Sequence, residues 1–319
     1  MTAIKSQNRL FSIVIPTWNN LAFLKLCIQS IQRNSYYNHQ IIVHVNDGSD
    51  GTLEWIKKAG IDYTHSEQNI GVCFAMNMMR TKVKTDYILF LNDDMYVLPF
   101  GDKVLYDEIE KLSDNYFFLS ATSIQPHTQS ASTILANYGD SIETFQEDKL
   151  LKEYMNYKIN DWMGATIPPN IVHRDIWDLV GGYSIEYSPG MYSDPDFTAK
   201  LYMCGVRFMK GLQASRIYHF ETKSTTRIAK RTDGDIYIGV VGPVRTGKST
   251  FIKKVIENLV VPNIEDEYDK KKCLDEIPQS SNGKQIMTTD PKFVLSQGAV
   301  IKIDDFKTNI KLIVFVFYI

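Results

Sequence analysis

Cysteine is too sparse in this chain to hold it together. Four thiols, Cys27, Cys73, Cys204 and Cys273, are scattered over 319 residues without a CxxC pair or a dense framework. That pattern excludes a disulfide scaffold, makes a thiolate metal centre a poor reading, and leaves reduced cytosolic thiols as the expectation. An excess of either charge is missing too: 35 Lys and Arg stand against 37 Asp and Glu, a net charge of −2. Such a balance gives no global attraction to nucleic acid or anionic lipid, so any phosphate-binding surface has to be local. Long hydrophobic runs are absent as well. No charged start leads into an apolar signal core, and the longest runs, 11–16 and 311–319, fall short of the roughly 20 residues that span a bilayer. The expectation is a soluble, cytoplasmic protein. What the chain does have is core-forming material, 44% hydrophobic against 23% charged, enough for two domains.

The first part alternates. Phe11-Ser-Ile-Val-Ile-Pro16 reads as a strand, and 21–31 follows with apolar residues at helical spacing. The pattern repeats with a strand at 40–45, a helix over 51–59, a strand near 61–63, a helix over 69–81 and a strand over 85–91. Buried strands alternating with helices imply a largely parallel sheet covered on both faces. Ligands of such sheets sit beyond the carboxyl ends of the strands, where the polar clusters after Pro16, Val45 and Leu91 fall. From 102 to 157 only a helix near 103–112 and a strand near 116–121 are readable. Beyond it come Trp162-Met-Gly164, a helix at 174–180, Gly181-Gly182, and a helix opened by Ser193-Asp194-Pro195-Asp196.

Three carboxylate clusters carry candidate chemistry, and each has an alternative. Asp47 could accept from a pyrimidine imide or simply shape a turn. Asn92-Asp93-Asp94 could end a strand, but adjacent carboxylates repel and invite a cation, which for oxygen ligands means Mg²⁺ or Mn²⁺. Asp194 could take a proton from an acceptor hydroxyl or act as a helix N-cap, with Asp196 favouring the helix dipole. His219 could be a ligand or a packed strand histidine.

In order and spacing, Ser12-Ile-Val-Ile-Pro-Thr-Trp-Asn19, Val45-Asn-Asp-Gly-Ser-Asp50, Asn69-Ile-Gly71 through Asn77, Leu91-Asn-Asp-Asp94, Gly181-Gly-Tyr183, Ser193-Asp-Pro-Asp196 and Tyr218-His219 resemble the family 2 glycosyltransferases. The resemblance implies the GT-A fold, a mixed, mostly parallel α/β sheet with helices on both faces. It also implies an inverting, metal-dependent, hexosyltransferase-type transfer from a nucleoside-diphosphate sugar to a cell-surface glycan or lipid-linked acceptor. Carried over residue by residue, Pro16, Thr17, Asn19, Asp47, Asn69 and Asp93 would line the donor, and Asp94 and His219 would hold the metal. Asp194 would be the general base, and Trp162, Gly164 and Asp196 would border the acceptor. Two positions depart from the commonest pattern: Asn92 replaces the first Asp of the Asp-x-Asp element, and Met76 replaces a frequent arginine. Relatives acting on lipid-linked acceptors make peripheral association with the inner face of the cell membrane compatible with this reading.

A polar, locally basic stretch follows, with Lys223, Arg227, Lys230 and Arg231. We divide the chain into a first domain over 1–225, a junction over 226–234 and a second unit over 235–319. That unit opens with a strand at 235–241, then Gly242-Pro-Val-Arg-Thr-Gly247-Lys248-Ser249 and an apolar-periodic helix over 250–259. Gly-x4-Gly-Lys-Ser between a strand and a helix is a phosphate-binding loop, its Lys balancing phosphate charge and its Ser reaching Mg²⁺. From about Arg227 the sequence resembles the N-terminal ATPase region of stage IV sporulation protein A. The resemblance implies ATP and Mg²⁺ at Gly242, Gly247, Lys248, Ser249 and Thr250, with Thr288 and Thr289 sensing the nucleotide. The Asp and Gly of Walker B type expected after Ile313 are replaced by Val314-Phe-Val-Phe-Tyr-Ile319. The expectation is therefore a truncated P-loop unit that retains phosphate binding while its metal positioning is impaired, which puts ATPase activity in doubt, with strand edges that favour self-association. Two families with no shared chemistry in one chain suggest a fusion or an assembly chimera, joined between Thr225 and Thr232.

Overall fold

A computed structural model describes residues 9–165, 168–190, 192–222, 235–243, 248–264, 266–275, 292–293, 299–303 and 306–317. Gly247, Thr288 and Thr289 lie outside the described residues. The chain divides into two units, Met1–Thr222 and Lys223–Ile319.

The first unit begins with strict alternation: β1 (Phe11–Trp18), α1 (Leu21–Asn34), β2 (Gln40–Asn46), α2 (Thr52–Ala59), β3 (Asp62–Ser66), α3 (Gly71–Arg80) and β4 (Tyr87–Phe90). These four strands pair in parallel in the order β3-β2-β1-β4. Side chains two apart share a face of a strand, and both faces of β1, β2 and β4 are buried, while the edge strand β3 is half-buried. Phe11, Ile13, Ile15, Leu89 and Leu91 pack with Leu24, Cys27, Ile28 and Ile31 of α1. Val14, Ile88 and Phe90 pack on the other side with Cys73, Met76 and Met79 of α3. The continuous apolar runs of the sequence follow from this double coverage.

The second half adds β5 (Met95–Val97), α4 (Gly101–Ile109), β6 (Phe117–Gln125), β7 (Thr133–Leu135), α5 (Glu147–Glu153), β8 (Trp162–Met163), β9 (Asn170–His173), α6 (Arg174–Leu179), α7 (Ser193–Met203) and β10 (Phe208–His219). β9 runs antiparallel between β4 and β6, so β6 and its parallel neighbour β10 return to the direction of β4. The result is a mixed, mostly parallel ten-stranded sheet ordered β3-β2-β1-β4-β9-β6-β10-β5, with β7 on β6 and β8 on β10. An aromatic core of Tyr96, Tyr138, Tyr218 and Phe220 fills the region around β5, β7 and α5.

Several boundaries move for local reasons. The helix expected from Asn69 starts at Gly71, because the Asn69 side chain accepts the Gly71 N–H at 3.0 Å and Gly71 holds φ +78°. The strand expected from Thr85 starts at Tyr87, because the Thr85 hydroxyl donates to the Tyr87 carbonyl at 3.0 Å. The expected 116–121 strand extends to Gln125, carried by its parallel pairing with β10.

In the second unit β11 (Asp235–Pro243) pairs in parallel with β14 (Phe306–Phe317), with β12 (Lys292–Phe293) and β13 (Ala299–Ile303) antiparallel to β14. α8 (Lys248–Val255) widens into a π-helical turn at Ile256–Val260, and α9 covers Glu267–Asp275. The expected 250–259 helix is thus interrupted before Pro262, whose ring removes an N–H and crowds the preceding turn.

Candidate active site

The parallel register brings the carboxyl ends of β1, β2 and β4 to one edge. Thr17 and Asp93 are both buried there, and the Thr17 hydroxyl donates to the Asp93 carboxylate at 2.7 Å. Asn46 ties the same level together: its amide donates to the Thr17 carbonyl at 3.3 Å and its oxygen accepts the Ile70 N–H at 2.9 Å. Pro16 sits in β1 beyond the last β1–β4 pair, Val14↔Phe90. Above this floor, Asn19 and Asp47 adopt left-handed conformations, φ +45° and +62°, which favours residues with short polar side chains. The Asn19 amide donates to Asp47 at 2.7 Å, and the Ser49 hydroxyl and N–H donate at 3.2 Å. The Asn19 bond leads in holding the Asp47 carboxyl below the usual carboxylate range. Asn69 is spent on its own turn and makes no hydrogen bond to these groups.

Asp94, 4% exposed, meets the end of β10. One carboxylate oxygen lies 3.3 Å from His219 Nε2, and the other accepts the Thr222 hydroxyl at 2.9 Å. The pairing His219↔Met95 and the Phe220 N–H donating to the Asp94 carbonyl at 3.1 Å fix this approach. Beneath the turn, the Cys27 thiol reaches the Asn92 carbonyl at 3.7 Å. Burial, then the charges of Asp93 and Asp94, push that thiol up. No group of three metal-ligating side chains occurs among the described residues. A carboxylate oxygen and an imidazole nitrogen side by side still fit a cation whose other positions come from diphosphate oxygens and water, the usual manner of Mg²⁺.

Asp194 lies in the first turn of α7, partly buried. Desolvation raises its pKa to about 6, against the opposing hydrogen bond from the Tyr183 hydroxyl at 3.1 Å. Tyr183 is buried, stacks on Phe197 at 4.6 Å, and meets Phe90 of β4 edge-on at 6.1 Å. Asp194 is thereby tied through one ring to the strand that delivers Asp94. Asp196 accepts the Ser184 hydroxyl at 2.6 Å. Tyr183 is itself held by Asn77, whose amide bonds its carbonyl at 2.8 Å and its N–H at 2.9 Å. A side chain on Gly182, φ +68°, would collide with Asn77. Met76, the position of the missing arginine, is fully buried in the core.

Trp162 lies over Gly211, its indole N–H donating to Thr122 at 3.3 Å. Register connects it to the same edge, since Gly211 pairs with Trp162 and Ser120, Ser120 with Asn170, and Asn170 with Phe90. Gly164 holds φ +103° and donates to the Met209 carbonyl at 2.9 Å. Sequence reasoning gave no role to Tyr183, although Gly181-Gly-Tyr183 was readable as a motif, and it missed Thr222, for which the sequence carries no signal. In the second unit Gly242 lies in β11, and Lys248, Ser249 and Thr250 open α8.

Residues 12–167 match the Glycosyl transferase family 2 model, and residues 221–319 match the model for Stage IV sporulation protein A, ATPase domain. The glycosyltransferase GlyG of Streptococcus pneumoniae is 26% identical over 176 residues, 49% of this chain and 52% of the relative. Stage IV sporulation protein A of Clostridioides difficile is 67% identical over 78 residues, 24% of this chain and 16% of the relative, and that of Bacillus subtilis 58% identical over 87 residues, 27% and 18%. The chain thus spans about half of one curated relative and less than a fifth of the others. Among solved structures, S. aureus TarS in complex with UDP gives a TM-score of 0.49 at 14% identity over 84% of this chain and 70% of that one. The mannosyltransferase PcManGT of Pyrobaculum calidifontis, in complex with GDP-Man and Mn²⁺, gives 0.48 at 11% identity over 71% and 62%.

Proposed function

We propose that the first unit, whose residues 12–167 are a glycosyltransferase family 2 domain joined to a stage IV sporulation protein A ATPase-domain sequence at 221–319, moves a sugar from a nucleoside diphosphate to an acceptor hydroxyl with inversion. The observation that carries this reading is the buried Asp94 beside His219 at 3.3 Å, on the sheet edge that also presents Thr17 and Asp47. Thr17 and the ionised Asp47 hold the nucleoside. Asp94 and His219 hold Mn²⁺ or Mg²⁺, which would neutralise charge on the departing diphosphate. Asp194, with a pKa near 6, takes the acceptor proton. A base poised near the working pH is the efficient kind, and the Tyr183 hydroxyl leaves its second oxygen for the acceptor. Trp162 and Asp196 border the acceptor, a cell-surface glycan or lipid-linked saccharide reached from the cytoplasmic face.

Nucleotide release from UDP-, dTDP- and GDP-sugars tests the proposal. Release should require Mn²⁺ or Mg²⁺, fall at least about 100-fold in Asp94→Ala, in keeping with loss of a principal electrostatic contact, and be unchanged in Lys248→Ala. Metal-independent release, or release that survives Asp94→Ala, would sink it. A second reading, ATP binding through Lys248 and Ser249 by a chain that joins two families, is favoured by the 67% identity to the sporulation protein. Sequencing native DNA across residues 222–235 tests the joining, with one continuous reading frame expected of a natural fusion.

A further inference from the structure

The chain after β10 does something that neither the family resemblance nor the motif spacing requires: it returns to Asp94 a second time. His219 faces one oxygen of the Asp94 carboxylate at 3.3 Å, and three residues later Thr222 faces the other, its hydroxyl donating at 2.9 Å. Between them Phe220 is buried, edge-on to Phe23 at 5.0 Å and to Phe145 at 4.8 Å. Glu221 then turns the backbone with φ +47°, a conformation that a residue with a Cβ adopts only when its surroundings impose it. Those surroundings are visible. The Glu221 carboxylate accepts the His127 N–H at 2.8 Å, the Thr128 N–H at 3.1 Å and the Gln125 amide at 3.1 Å. Phe220 is anchored inside and Glu221 outside, and the turn between them delivers Thr222.

From this geometry we infer that Thr222 is a positioning residue of the cation site, and that the Glu221 turn exists to place it. The inference rests on the cation reading given above. A carboxylate on a short side chain rotates about its last bond. With the Thr222 hydroxyl on one oxygen, the rotation is fixed and the other oxygen stays beside the imidazole nitrogen, so both atoms would be available to hold one cation. Outer-shell hydrogen bonds to a ligating carboxylate commonly change metal affinity by about 10- to 100-fold.

The test is Mn²⁺ binding to the full chain, followed by the loss of the free-ion electron paramagnetic resonance signal. Asp94→Ala supplies the background from any site elsewhere in the chain. Thr222→Val, which keeps the shape and the long backbone N–H contact to Asp94 at 3.4 Å but removes the hydroxyl donor, should weaken the Asp94-dependent site about tenfold, and Thr222→Ser should restore it. Glu221→Ala should weaken it in the same direction without touching Thr222, and it carries the test if Thr222→Val does not fold. Unchanged affinity in Thr222→Val, or equal loss in the Val and Ser variants, overturns the role of Thr222 while leaving the cation reading in place. A wild-type chain with no Asp94-dependent Mn²⁺ site removes both.

Discussion

A carboxylic acid in the first turn of a helix ought to ionise easily, because the helix N-terminus favours negative charge. Asp194 does the opposite. Burial outweighs the hydrogen bond from the Tyr183 hydroxyl and pushes its pKa up to about 6. The sign of the consequence follows from linkage. Between an unfolded value of about 3.9 and the folded value of about 6, only the folded chain holds the proton. Stability therefore falls as pH rises through that window and is flat above it. At pH 7 the ionised Asp194 is a cost of about 2 kcal/mol after allowance for its partial exposure. Asp194→Asn is expected to raise the stability of the first unit at pH 7 by about that amount in urea unfolding, with no gain at pH 4. In the same protein, sugar transfer should fall by about 10²- to 10⁴-fold, the usual effect of removing a general base. Wild-type transfer should decline as pH drops below about 6, following protonation of Asp194. A variant that is more active or less stable at pH 7 would contradict the assignment.

The elements from β1 to β4 were legible because β1, β2 and β4 are buried on both faces and each helix presents one apolar stripe, while the half-buried β3 lies at the sheet edge. Later elements were not. β8 has two residues and β9 has four, too few to show a period. β10 carries Lys210, Gln213, Ser215 and Arg216 through a register shift between Leu212 and Arg216. Arg216 is 2% exposed, its guanidinium bound by the carbonyls of Gln213, Tyr154 and Tyr157, so the sequence shows a charge where the fold has core. The site divides the same way. Asp94, Asp194 and His219 stand out through motif order, whereas Tyr183 and Thr222 act through folded contacts that spacing does not encode. Gly211 is another such position: its ordinary backbone conformation gives no hint that a methyl there would overlap the Trp162 indole. Gly211→Ala should displace Trp162 at a cost of about 1–3 kcal/mol, lowering the melting temperature by about 3–10 °C. If Trp162 borders the acceptor, the same variant raises the acceptor KM and leaves nucleotide release to water unchanged.

Each of the two units has its own sheet, ten-stranded in the first and four-stranded among the described residues of the second, and each matches a different family model. Separate cores imply separate cooperative transitions, and ligands that bind only a folded unit raise only that unit's stability. A ligand at 100 times its Kd contributes about 2.7 kcal/mol. Calorimetry of the full chain should therefore show two transitions. Mn²⁺ with a nucleoside diphosphate should move the transition that Asp94→Ala leaves unmoved by ligand, and Mg²⁺ with ATP should move the other, an effect lost in Lys248→Ala. Assigning each transition by its variant also separates the two functional readings. If ATP moves neither, the phosphate loop of the second unit does not hold nucleotide, and the sporulation-like reading loses its physical basis. If ATP moves only the transition assigned through Asp94, its phosphates are held at the cation site of the first unit rather than at Lys248, because a ligand raises the stability only of the unit that binds it.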